Sequence, residues 1–530
     1  MHIRLADFNQ VRNVINPGGR SLRIVIYVWG NFNLNDMYMK SIFYFFCMLS
    51  VLGCAKTEEK VEGVFEGAPR INAPYVTGNY PHTEFVFAVP TSGERPMSWK
   101  AEHLPEGLFL DSETGIIRGV VKEAGDYKVK ITAENAKGKK ESELNIKIGN
   151  ELALTPVMGW NSWNTFGPEL TEALVIETAE AMIANGMRDL GYQYINIDDY
   201  WQLKDRGADG HIQINKEKFP RGIKYVADYL HERGFRLGIY SDASRYTCGG
   251  VCGSYGYEDV DAQDFASWGV DLLKYDYCGA PEERDTAIVR YRKMGEALRA
   301  TDRSIVFSVC EWGGREPWTW AKEVGGHYWR TTGDIRDKWS TDNKNFLGIV
   351  NIIDRNKDLA DYAGPGAWND PDMLTVGIFG KSYSINDGRK DFGCTLEEYR
   401  SHMSLWCMMA APLLSGNDVR TMADSVKDIL LNEEVIALNQ DKLGKQAVVV
   451  KTAGNCEIWQ KTLVDGMAIA VLNRGEVPET VLLDFEEIGV KGKVRVRDVW
   501  KHENLGAIKT LNVSPRGHGA EVYRLTFQHK

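Results

Sequence analysis

The middle of the chain reads YQYINID at residues 192–198, RGIKYVADYLHERG at 221–234 and RLGIYSD at 236–242. The outer two segments are short apolar runs of strand length, and the segment between them has the apolar spacing of a helix. A strand, a helix and a second strand in this order are typical of a parallel sheet with crossover helices. Both strands end in aspartate, which places acidic side chains at their carboxyl ends.

The same alternation runs from residue 151 to about residue 440. The predicted strands are VMGWNSW (157–163), YQYINID (192–198), RLGIYSD (236–242), VDLLKYD (270–276), SIVFSVC (304–310), HYWRTTGD (327–334), AWND (367–370) and PLLSG (412–416). The predicted helices include 171–190, 221–234, 284–300, 395–410 and 420–439. Eight strand–helix steps in about 290 residues predict a (β/α)8 TIM barrel. The alternative is a doubly wound open sheet, but no Gly-rich turn follows the first strand to receive a nucleotide phosphate.

Two strand-rich regions flank the predicted barrel, which spans residues 151–440. Residues 67–150 contain short alternating runs separated by Pro, Gly and Asn turns, and this pattern predicts a small β-sandwich. Residues 441–530 contain further alternating runs that predict a C-terminal antiparallel β-sandwich. Because the 67–150 region holds no catalytic cluster, we interpret it as a spacer, with a sugar-binding module as the alternative.

The composition is that of a large chain that folds in water. At roughly 150 residues per domain, 530 residues suggest two to four domains. Apolar residues make up 43% and charged residues 26%, which excludes wholesale disorder, collagen and multi-span membrane proteins. The 63 basic and 73 acidic side chains leave a net charge of −10, which disfavours a nucleic-acid partner because nucleic-acid affinity depends on Lys and Arg.

The most apolar stretch, SIFYFFCMLSVLGC at residues 41–54, indicates export. It is shorter than the about 20 apolar residues of a transmembrane helix, and it follows the positive charge of Lys40. Its last four residues, VLGC, resemble a bacterial lipobox, whose cysteine carries the lipid after cleavage. We therefore predict lipidation of Cys54, with an ordinary secretory signal cut nearby as the alternative.

The export signal sets the start of the mature chain. We treat residues 1–53 as the signal segment, with Met37 or Met39 as alternative start residues because a signal normally stands first. Residues 54–66 are charged and contain glycine, which predicts a linker or a disordered tether.

Seven of the nine cysteines remain after Cys47 and Cys54 are set aside. They are Cys248, Cys252, Cys278, Cys310, Cys394, Cys407 and Cys456. An odd count leaves at least one free thiol, and an oxidising compartment favours pairing of others. Cysteine and histidine spacings typical of zinc sites are absent, so we expect no structural zinc, and no metal or organic cofactor is implied.

Acidic residues stand at most of the predicted strand ends. They are Asp198, Asp199, Asp242, Asp276, Glu311, Asp334, Asp370 and Asp372. The carboxyl ends of the strands form the active-site face of a TIM barrel. One acid alone can equally cap the next helix, but so many acids on one rim favour chemistry. For Asp370 and Asp372 we favour ordering of loops or helix starts.

Acids and aromatics without phosphate-binding glycines are typical of glycoside hydrolysis, in which two carboxyl groups flank the bond that breaks. Asp276 lies close to Lys274, whose positive charge favours an ionised carboxylate, so we predict that Asp276 is the nucleophile. The second acid must stay protonated, which burial or the charge of the nucleophile can arrange. We predict Asp334 for this role.

Seven blocks of sequence, spread in order over residues 152–440, resemble one known family. They are TPVMGWNSWNTFG, YINIDDYWQ, FPRGIKYVADYLHERGFRLGIYSDAS, GSYGYEDVDAQDFASWGVDLLKYDYC, CEWG, YWRTTGDIRDKW and GPGAWNDPDML. From these blocks the chain is identified as a member of glycoside hydrolase family 27, the α-galactosidase and α-N-acetylgalactosaminidase group. The resemblance extends more loosely to the C-terminal β domain. Residues 104–135 resemble the immunoglobulin-like modules that precede exported bacterial enzymes.

The resemblance implies a role for each matching residue. The aspartate of the family's LKYD motif, here Asp276, is the nucleophile, and the aspartate of TGDI, here Asp334, is the acid/base. Asp198 and Asp199 match paired aspartates that accept hydrogen bonds from the O4 and O6 hydroxyls of the sugar. The remaining implied contacts are Lys274 at O3 and O4, Arg330 at O2, and Trp163 and Tyr240 in the pocket wall. Trp163, and more so Trp160, can also be read as barrel-mouth core.

The segment over C2 of the sugar is implied to be Cys310, Glu311 and Trp312. Family members that accept an N-acetyl group carry smaller residues there, so the bulky Glu and Trp favour a plain 2-hydroxyl.

The resemblance also bears on the disulfides. Cys248 and Cys278 match a pair that is bonded beside the pocket in relatives, with Cys252 as an extra cysteine in the same loop. An earlier disulfide of many relatives is missing, because Gly167-Pro168 and Tyr200 occupy its positions. We expect this loss to affect stability rather than chemistry.

We therefore expect an exported, retaining exo-α-galactosidase that acts on an α-galactoside-containing glycan. A β-L-arabinopyranosidase or an α-N-acetylgalactosaminidase on the same scaffold is the alternative, and a catalytically inactive glycan-binding surface lipoprotein is the alternative from another class. Membrane attachment is expected only through the lipid, as an outer-membrane lipoprotein on the periplasmic side or the cell surface.

Overall fold

The computed structural model describes residues 64–382 and 393–527 in full, together with the backbone of 12–15 and 21–24. The apolar run 41–54 with Cys54 lies outside these residues, and the export signal and the lipidation stay predictions. Within the described part of the chain, no helix combines the length and the apolar character that crossing a membrane requires.

The chain divides into two units, Met1–Val61 and Glu62–Lys530. In the first unit, β1 (Arg12–Ile15) pairs antiparallel with β2 (Ser21–Ile24). All of the elements below belong to the second unit.

The second unit begins with a β-sandwich. Its strands are β3 (Arg70–Ile71), β4 (Val76–Asn79), β5 (Glu84–Ala88), β6 (Thr91–Ser92), β7 (Met97–Glu102), β8 (Leu108–Leu110), β9 (Ile116–Val120), β10 (Gly125–Asn135) and β11 (Gly138–Ile148). One sheet has the order β4-β11-β10-β7, another β5-β9-β8, and β3 pairs with β6. Alternate residues of the two larger sheets, such as Phe85, Ile131 and Ile146, are at most 1% exposed and form the core between them.

Eight parallel strands form the barrel. They are β12 (Met158–Asn161), β13 (Tyr194–Asn196), β14 (Arg236–Asp242), β15 (Leu272–Asp276), β16 (Val306–Val309), β17 (Tyr328–Arg330), β20 (Trp368–Asp370) and β21 (Leu413–Ser415). Neighbours in sequence pair in the order β20-β17-β16-β15-β14-β13-β12-β21. A parallel bridge from Leu374, just after β20, to Ser415 of β21 closes the cylinder. The predicted fold class is confirmed.

Helices alternate with these strands. They are α1 (Trp163–Phe166), α2 (Glu172–Ala184), α3 (Ile223–Glu232), α4 (Glu258–Trp268), α5 (Arg284–Arg299), α6 (Ile349–Asn356), α7 (Leu396–Met408), α8 (Asp424–Leu430) and α9 (Glu433–Asn439). In α3, Ile223, Val226 and Leu230 are buried at helical spacing against the sheet. The single helix predicted for 420–439 is two helices, because the Asn432 side chain caps α9 by accepting from the Glu434 and Val435 amides.

The sixth barrel strand is shorter than the predicted 327–334. It ends at Arg330, and after three residues the chain forms β18 (Asp334–Ile335), which pairs in parallel with β19 (Phe346–Leu347) outside the barrel. Asp334 therefore lies on a separate two-stranded ribbon above the barrel, and not on the end of a barrel strand.

The β-sandwich packs against the amino ends of the barrel strands. The Gln193 amide, before β13, donates to the Ala88 carbonyl at 2.6 Å, and the Arg236 guanidinium, at the start of β14, donates to the Val86 carbonyl at 2.8 and 3.0 Å. Arg303, before β16, pairs with Glu84 at 3.0 Å. The carboxyl ends of the strands, at the opposite face, are left open.

A second β domain follows the barrel. Its strands are β22 (Val448–Ala453), β23 (Cys456–Leu463), β24 (Gly466–Asn473), β25 (Val481–Asp484), β26 (Val494–Asp498), β27 (Glu503–Ile508), β28 (Thr510–Val513) and β29 (Ala520–Thr526). Six of them form an antiparallel sheet in the order β22-β23-β24-β29-β26-β27, and β25 pairs with β28. The domain docks on α7, where the Ser401 hydroxyl donates to the His518 carbonyl and Arg400 pairs with Glu521.

Candidate active site

A cavity of about 580 Å³ opens at the carboxyl ends of the barrel strands. Nine of the eleven predicted catalytic and sugar-binding residues line it: Trp163, Asp198, Tyr240, Lys274, Asp276, Glu311, Trp312, Arg330 and Asp334. The other two, Asp199 and Cys310, lie behind its surface.

Asp276 ends β15 and is 5% exposed. The Tyr240 hydroxyl donates to its Oδ2 at 2.9 Å, while its Oδ1 has no hydrogen-bond partner among the described residues. Burial raises the pKa of Asp276 to about 6, although the charge of Lys274 opposes the shift. The charge of Lys274 alone predicts a lowered pKa, but the loss of hydration on burial outweighs that charge.

Lys274 bonds directly to another acid. Its Nζ donates to Asp198 Oδ2 at 2.8 Å, and the Asn161 amide donates to the same oxygen at 2.9 Å. The positive charge of the Lys274 ammonium thus compensates the negative charges of two buried carboxylates, Asp198 and Asp276.

Asp199 faces a loop and not the cavity. Its Oδ1 accepts from the Tyr200 amide at 2.8 Å and its Oδ2 from the Gly249 amide at 2.8 Å. Tyr200 has a φ of 76°, the left-handed region that non-glycine residues rarely adopt. Asp199 therefore orders the loop beside the cavity, and of the predicted O4 and O6 pair Asp198 lines the wall.

Asp334 is more exposed than its predicted role suggests. Its side chain is 37% exposed, and Arg330 Nη2 lies 3.3 Å from its Oδ1. Of the two ways to keep this acid protonated, burial is absent, because the residue lies on the β18–β19 ribbon at the cavity edge. The negative charge of Asp334 is still close enough to raise the pKa of Asp276, after the larger effect of burial.

Arg330 is held from below by Asp372. The Arg330 Nη2 lies 2.9 Å from Asp372 Oδ2, and the same oxygen accepts from the Ile335 amide at 2.8 Å. Asp370 in turn accepts from the Asp372 amide. These contacts agree with the interpretation that Asp370 and Asp372 order loops. The segment that they order is the β18–β19 ribbon, which carries Asp334.

The segment after β16 supplies one further acceptor. Glu311 Oε2 accepts from the backbone and side chain of Arg315, whereas its Oε1 is buried without a partner among the described residues. Burial raises the pKa of Glu311 to about 7 against the hydrogen bonds of Arg315. Cys310 lies below, with its Sγ 3.8 Å from Arg330 Nη1, so it supports the wall.

The disulfide implied by the resemblance is present. Cys248 and Cys278 are bonded, with Cα atoms 5.1 Å apart, and Cys252 is free and buried. Among the described residues, only Asp242 with these two cysteines is grouped closely enough to hold a metal ion, and the disulfide removes both thiolates.

The two tryptophans after β12 differ in environment. Trp160 is fully buried and donates to the Asn417 carbonyl, as expected of a core residue. Trp163 lines the cavity and stacks on Tyr200 with ring centroids 6.1 Å apart. Lys218 Nζ lies 5.3 Å from the Tyr200 ring and donates to the Pro168 carbonyl at 2.5 Å. Tyr200 and Pro168, which occupy the positions of the missing disulfide, are therefore joined through Lys218.

Three family models match the chain. Residues 155–441 match the model described as Alpha galactosidase A, 453–525 match the Alpha galactosidase C-terminal beta sandwich domain, and 68–149 match an Ig domain. The first match alone covers more than half of the 530 residues.

The chain belongs to the alpha-galactosidase family, glycoside hydrolase family 27.

Individual relatives in the alpha-galactosidase family agree. An alpha-galactosidase of Cyamopsis tetragonoloba is 44% identical over 71% of this chain and 87% of its own length. Alpha-galactosidase A of Cellvibrio japonicus is 42% identical over 71% of this chain and 93% of its own. The crystal structure of a candidate alpha-galactosidase from Bacteroides fragilis is 60% identical, covers 88% of this chain and 99% of its own, and superposes with a TM-score of 0.84.

Several residues in and around this alpha-galactosidase cavity are not predicted from the sequence. Asn161 and Arg315 hold Asp198 and Glu311, and Arg336 and Phe346 form part of the wall beside Asp334. Asn161 stands two residues before the end of the predicted strand 157–163, and this position near the carboxyl end is a usable signal. The sequence contains no signal for Phe346, because a strand of two residues is too short to show a periodic pattern.

Proposed function

We propose that this member of the alpha-galactosidase family removes terminal α-D-galactosyl residues with retention of configuration, using Asp276 and Asp334. The observation that supports this is the presence of both carboxyl groups in one cavity, with Lys274 beside the buried Asp276. A retaining glycosidase requires two carboxyl groups that flank the bond to be broken, one as nucleophile and one as acid/base.

The reaction has two steps. In the first, Asp276 attacks C1 of galactose, the bond from C1 to the glycosidic oxygen breaks, and Asp334 gives its proton to that oxygen. In the second, Asp334 takes a proton from water, whose oxygen attacks C1 and releases Asp276. Tyr240 holds Oδ2 of Asp276, so the unpartnered Oδ1 is the attacking oxygen.

The sugar is expected to lie over the wall formed by Asp198, Lys274 and Trp163. An ionised carboxylate only accepts, so Asp198 suits hydroxyl donors at O4 and O6. The unpartnered Oε1 of Glu311 suits the 2-hydroxyl. Glu311 and Trp312 fill the space that an N-acetyl group requires, which favours galactose over N-acetylgalactosamine.

A release assay tests this function. Purified protein is given the nitrophenyl glycosides of α-galactose, α-N-acetylgalactosamine and β-L-arabinopyranose at equal concentration. We expect the largest kcat/KM for α-galactoside, with weaker activity on arabinopyranoside, which lacks the C6 hydroxymethyl group. A preference for either of the other two sugars, or no turnover of all three, would contradict the proposal.

We also propose export and lipid attachment at Cys54, supported by the apolar run at 41–54 and the cysteine that ends it. The natural substrate is then a glycan outside the cytoplasm. Labelling of cells with a radioactive fatty acid is expected to mark the wild-type protein and not Cys54→Ala, and equal labelling of both would refute the anchor.

A further inference from the structure

Phe346 is a large apolar side chain that the fold leaves 40% exposed. It lies in β19 and lines the same cavity as Asp276 and Asp334. Single exposed aromatic side chains are common on protein surfaces, so exposure alone does not indicate a ligand. Phe346 is distinguished by its position, since its ring lines the cavity that holds both carboxyl groups.

The register of the ribbon places this ring beside Asp334. In the parallel pairing of β18 with β19, Asp334 is the partner of Phe346. Partner residues in a sheet project to the same face, and Arg336, two residues after Asp334, projects there too. The Arg336 guanidinium lies 4.0 Å from the centroid of the Phe346 ring, which fixes the ring by a cation–π contact.

Gly333 allows this close pairing. A side chain at Gly333 would collide with the backbone carbonyl of Asn345, directly before Phe346. The short distance between the two strands of the ribbon therefore depends on a residue without a Cβ atom.

The position of the acid identifies what the ring contacts. In the proposed function, on which this inference rests, Asp334 protonates the oxygen that joins galactose to the leaving group. The galactose side of that oxygen is formed by Asp198, Lys274 and Trp163 on the barrel strands and the loop after β12. Phe346 lies beside Asp334 on the ribbon, so it faces the leaving group.

We propose that Phe346, held by Arg336, is the platform on which the first sugar unit of the leaving group stacks. The chemical class is a neutral hexose, since a flat ring without charge binds the apolar C–H face of a pyranose. Lys344 and Asn345, which line the cavity next to the ring, offer hydrogen-bond donors to its hydroxyls. The site thereby selects oligosaccharides over galactosides with small leaving groups.

The test compares two substrates. An α-galactosyl-glucose disaccharide places a hexose on Phe346. Methyl α-galactoside places no sugar there but, like the disaccharide, needs a proton from Asp334 on its leaving oxygen, so disturbance of Asp334 affects both substrates. Nitrophenyl galactosides are unsuitable because their aromatic ring would also stack. The measured quantity is the ratio of kcat/KM for the disaccharide to kcat/KM for the methyl galactoside.

For Phe346→Ala we expect this ratio to fall about tenfold, the size of a lost stacking contact. Phe346→Tyr keeps a ring and is expected to retain at least half of the ratio. Phe109→Ala, which removes a 60% exposed phenylalanine from the β-sandwich, is the matched control and is expected to leave the ratio unchanged.

The outcomes separate the inference from the function. An unchanged ratio in Phe346→Ala, or an equal fall in Phe346→Tyr, overturns the stacking platform while the enzyme remains an alpha-galactosidase. If the wild-type protein hydrolyses neither substrate, the proposed function itself is wrong.

Discussion

Asp276 is the residue at which function and stability conflict most directly. Its carboxylate must be ionised to attack C1, yet burial raises its pKa to about 6 from an ordinary value near 4. A group whose pKa is raised in the folded state binds its proton more tightly there than in the unfolded chain. The ionised carboxylate therefore destabilises the folded protein above pH 6, and this destabilisation decreases as the pH falls and the group takes up its proton.

Asp276→Asn is expected to abolish turnover and to stabilise the protein. We expect kcat to fall at least about a thousandfold because the nucleophile is gone, while galactose still binds. At pH 7.5 the free energy of unfolding should rise by about 3 kcal/mol, as expected from a shift of about two pKa units at about 1.4 kcal/mol each, and the gain should disappear near pH 4. Denaturant titration at both pH values and galactose calorimetry measure these quantities. Near-normal turnover would remove Asp276 from its role.

The residues of the site were predictable to the extent that they end barrel strands. Asp276 and Asp198 follow β15 and β13 closely, so a parallel barrel brings them to one face. The direction of Asp199 was not predictable, because it depends on the left-handed backbone of Tyr200. The exposure of Asp334 also follows from the ribbon, which no pattern in the sequence indicates.

At the scale of elements, the loops around α1 show how a missing disulfide is replaced. Lys218 joins the Pro168 carbonyl to the ring of Tyr200, and that ring stacks on Trp163 of the cavity wall. The wall is thus fixed by a hydrogen bond and a cation–π contact instead of a covalent bond.

Lys218→Met is expected to lower the free energy of unfolding by about 1 to 2 kcal/mol, the sum of these two contacts. The KM for an α-galactoside is also expected to rise, since Trp163 loses its support. Lys224→Met is the matched control, because Lys224 forms only an exposed ion pair with Asp228 in α3, worth about 0.3 to 0.5 kcal/mol. Equal losses in thermal unfolding of the two variants would show that Lys218 is an ordinary surface lysine.

The strand and helix pattern gave the barrel reliably because each strand is a short buried run and each helix has a wider apolar period. Element ends were less accurate. The break at Asn432 depends on a side-chain cap, and β18 and β19 have two residues each, too few to show alternation.

At the scale of the whole molecule, the β-sandwich supports the barrel at the face opposite the cavity. Arg303 is 8% exposed and donates to Asp271 at 2.6 Å and to the Val270 carbonyl at 2.7 Å, while pairing with Glu84 of the sandwich. Burial alone would raise the pKa of Asp271, but the charges of Arg303 and His231 hold it well below its ordinary value. The buried network around Asp271 in the barrel thus extends to Glu84 of the sandwich.

Arg303→Met is expected to lower the free energy of unfolding by about 3 kcal/mol at neutral pH. The substitution leaves the buried charge of Asp271 without its main partner. An acid with a lowered pKa stabilises the fold above about pH 4 and loses this contribution as the pH falls further, so the cost should shrink below pH 4. Glu84→Gln, on the 51% exposed side of the network, is expected to cost less than about 1 kcal/mol. Calorimetric unfolding at pH 7 and pH 3.5 measures the stability of both variants. A small loss of stability in Arg303→Met that does not change with pH would show that Arg303 is not the main partner of Asp271.

The proposed mechanism requires that Asp276 form a covalent bond to galactose. This bond is tested with a fluorinated α-galactosyl fluoride whose second step is slow, followed by reduction, trypsin digestion and mass spectrometry. We expect one added fluorogalactosyl group on the peptide of residues 275–284, localised to Asp276. A label on any other residue, or inactivation without a covalent label, would contradict it.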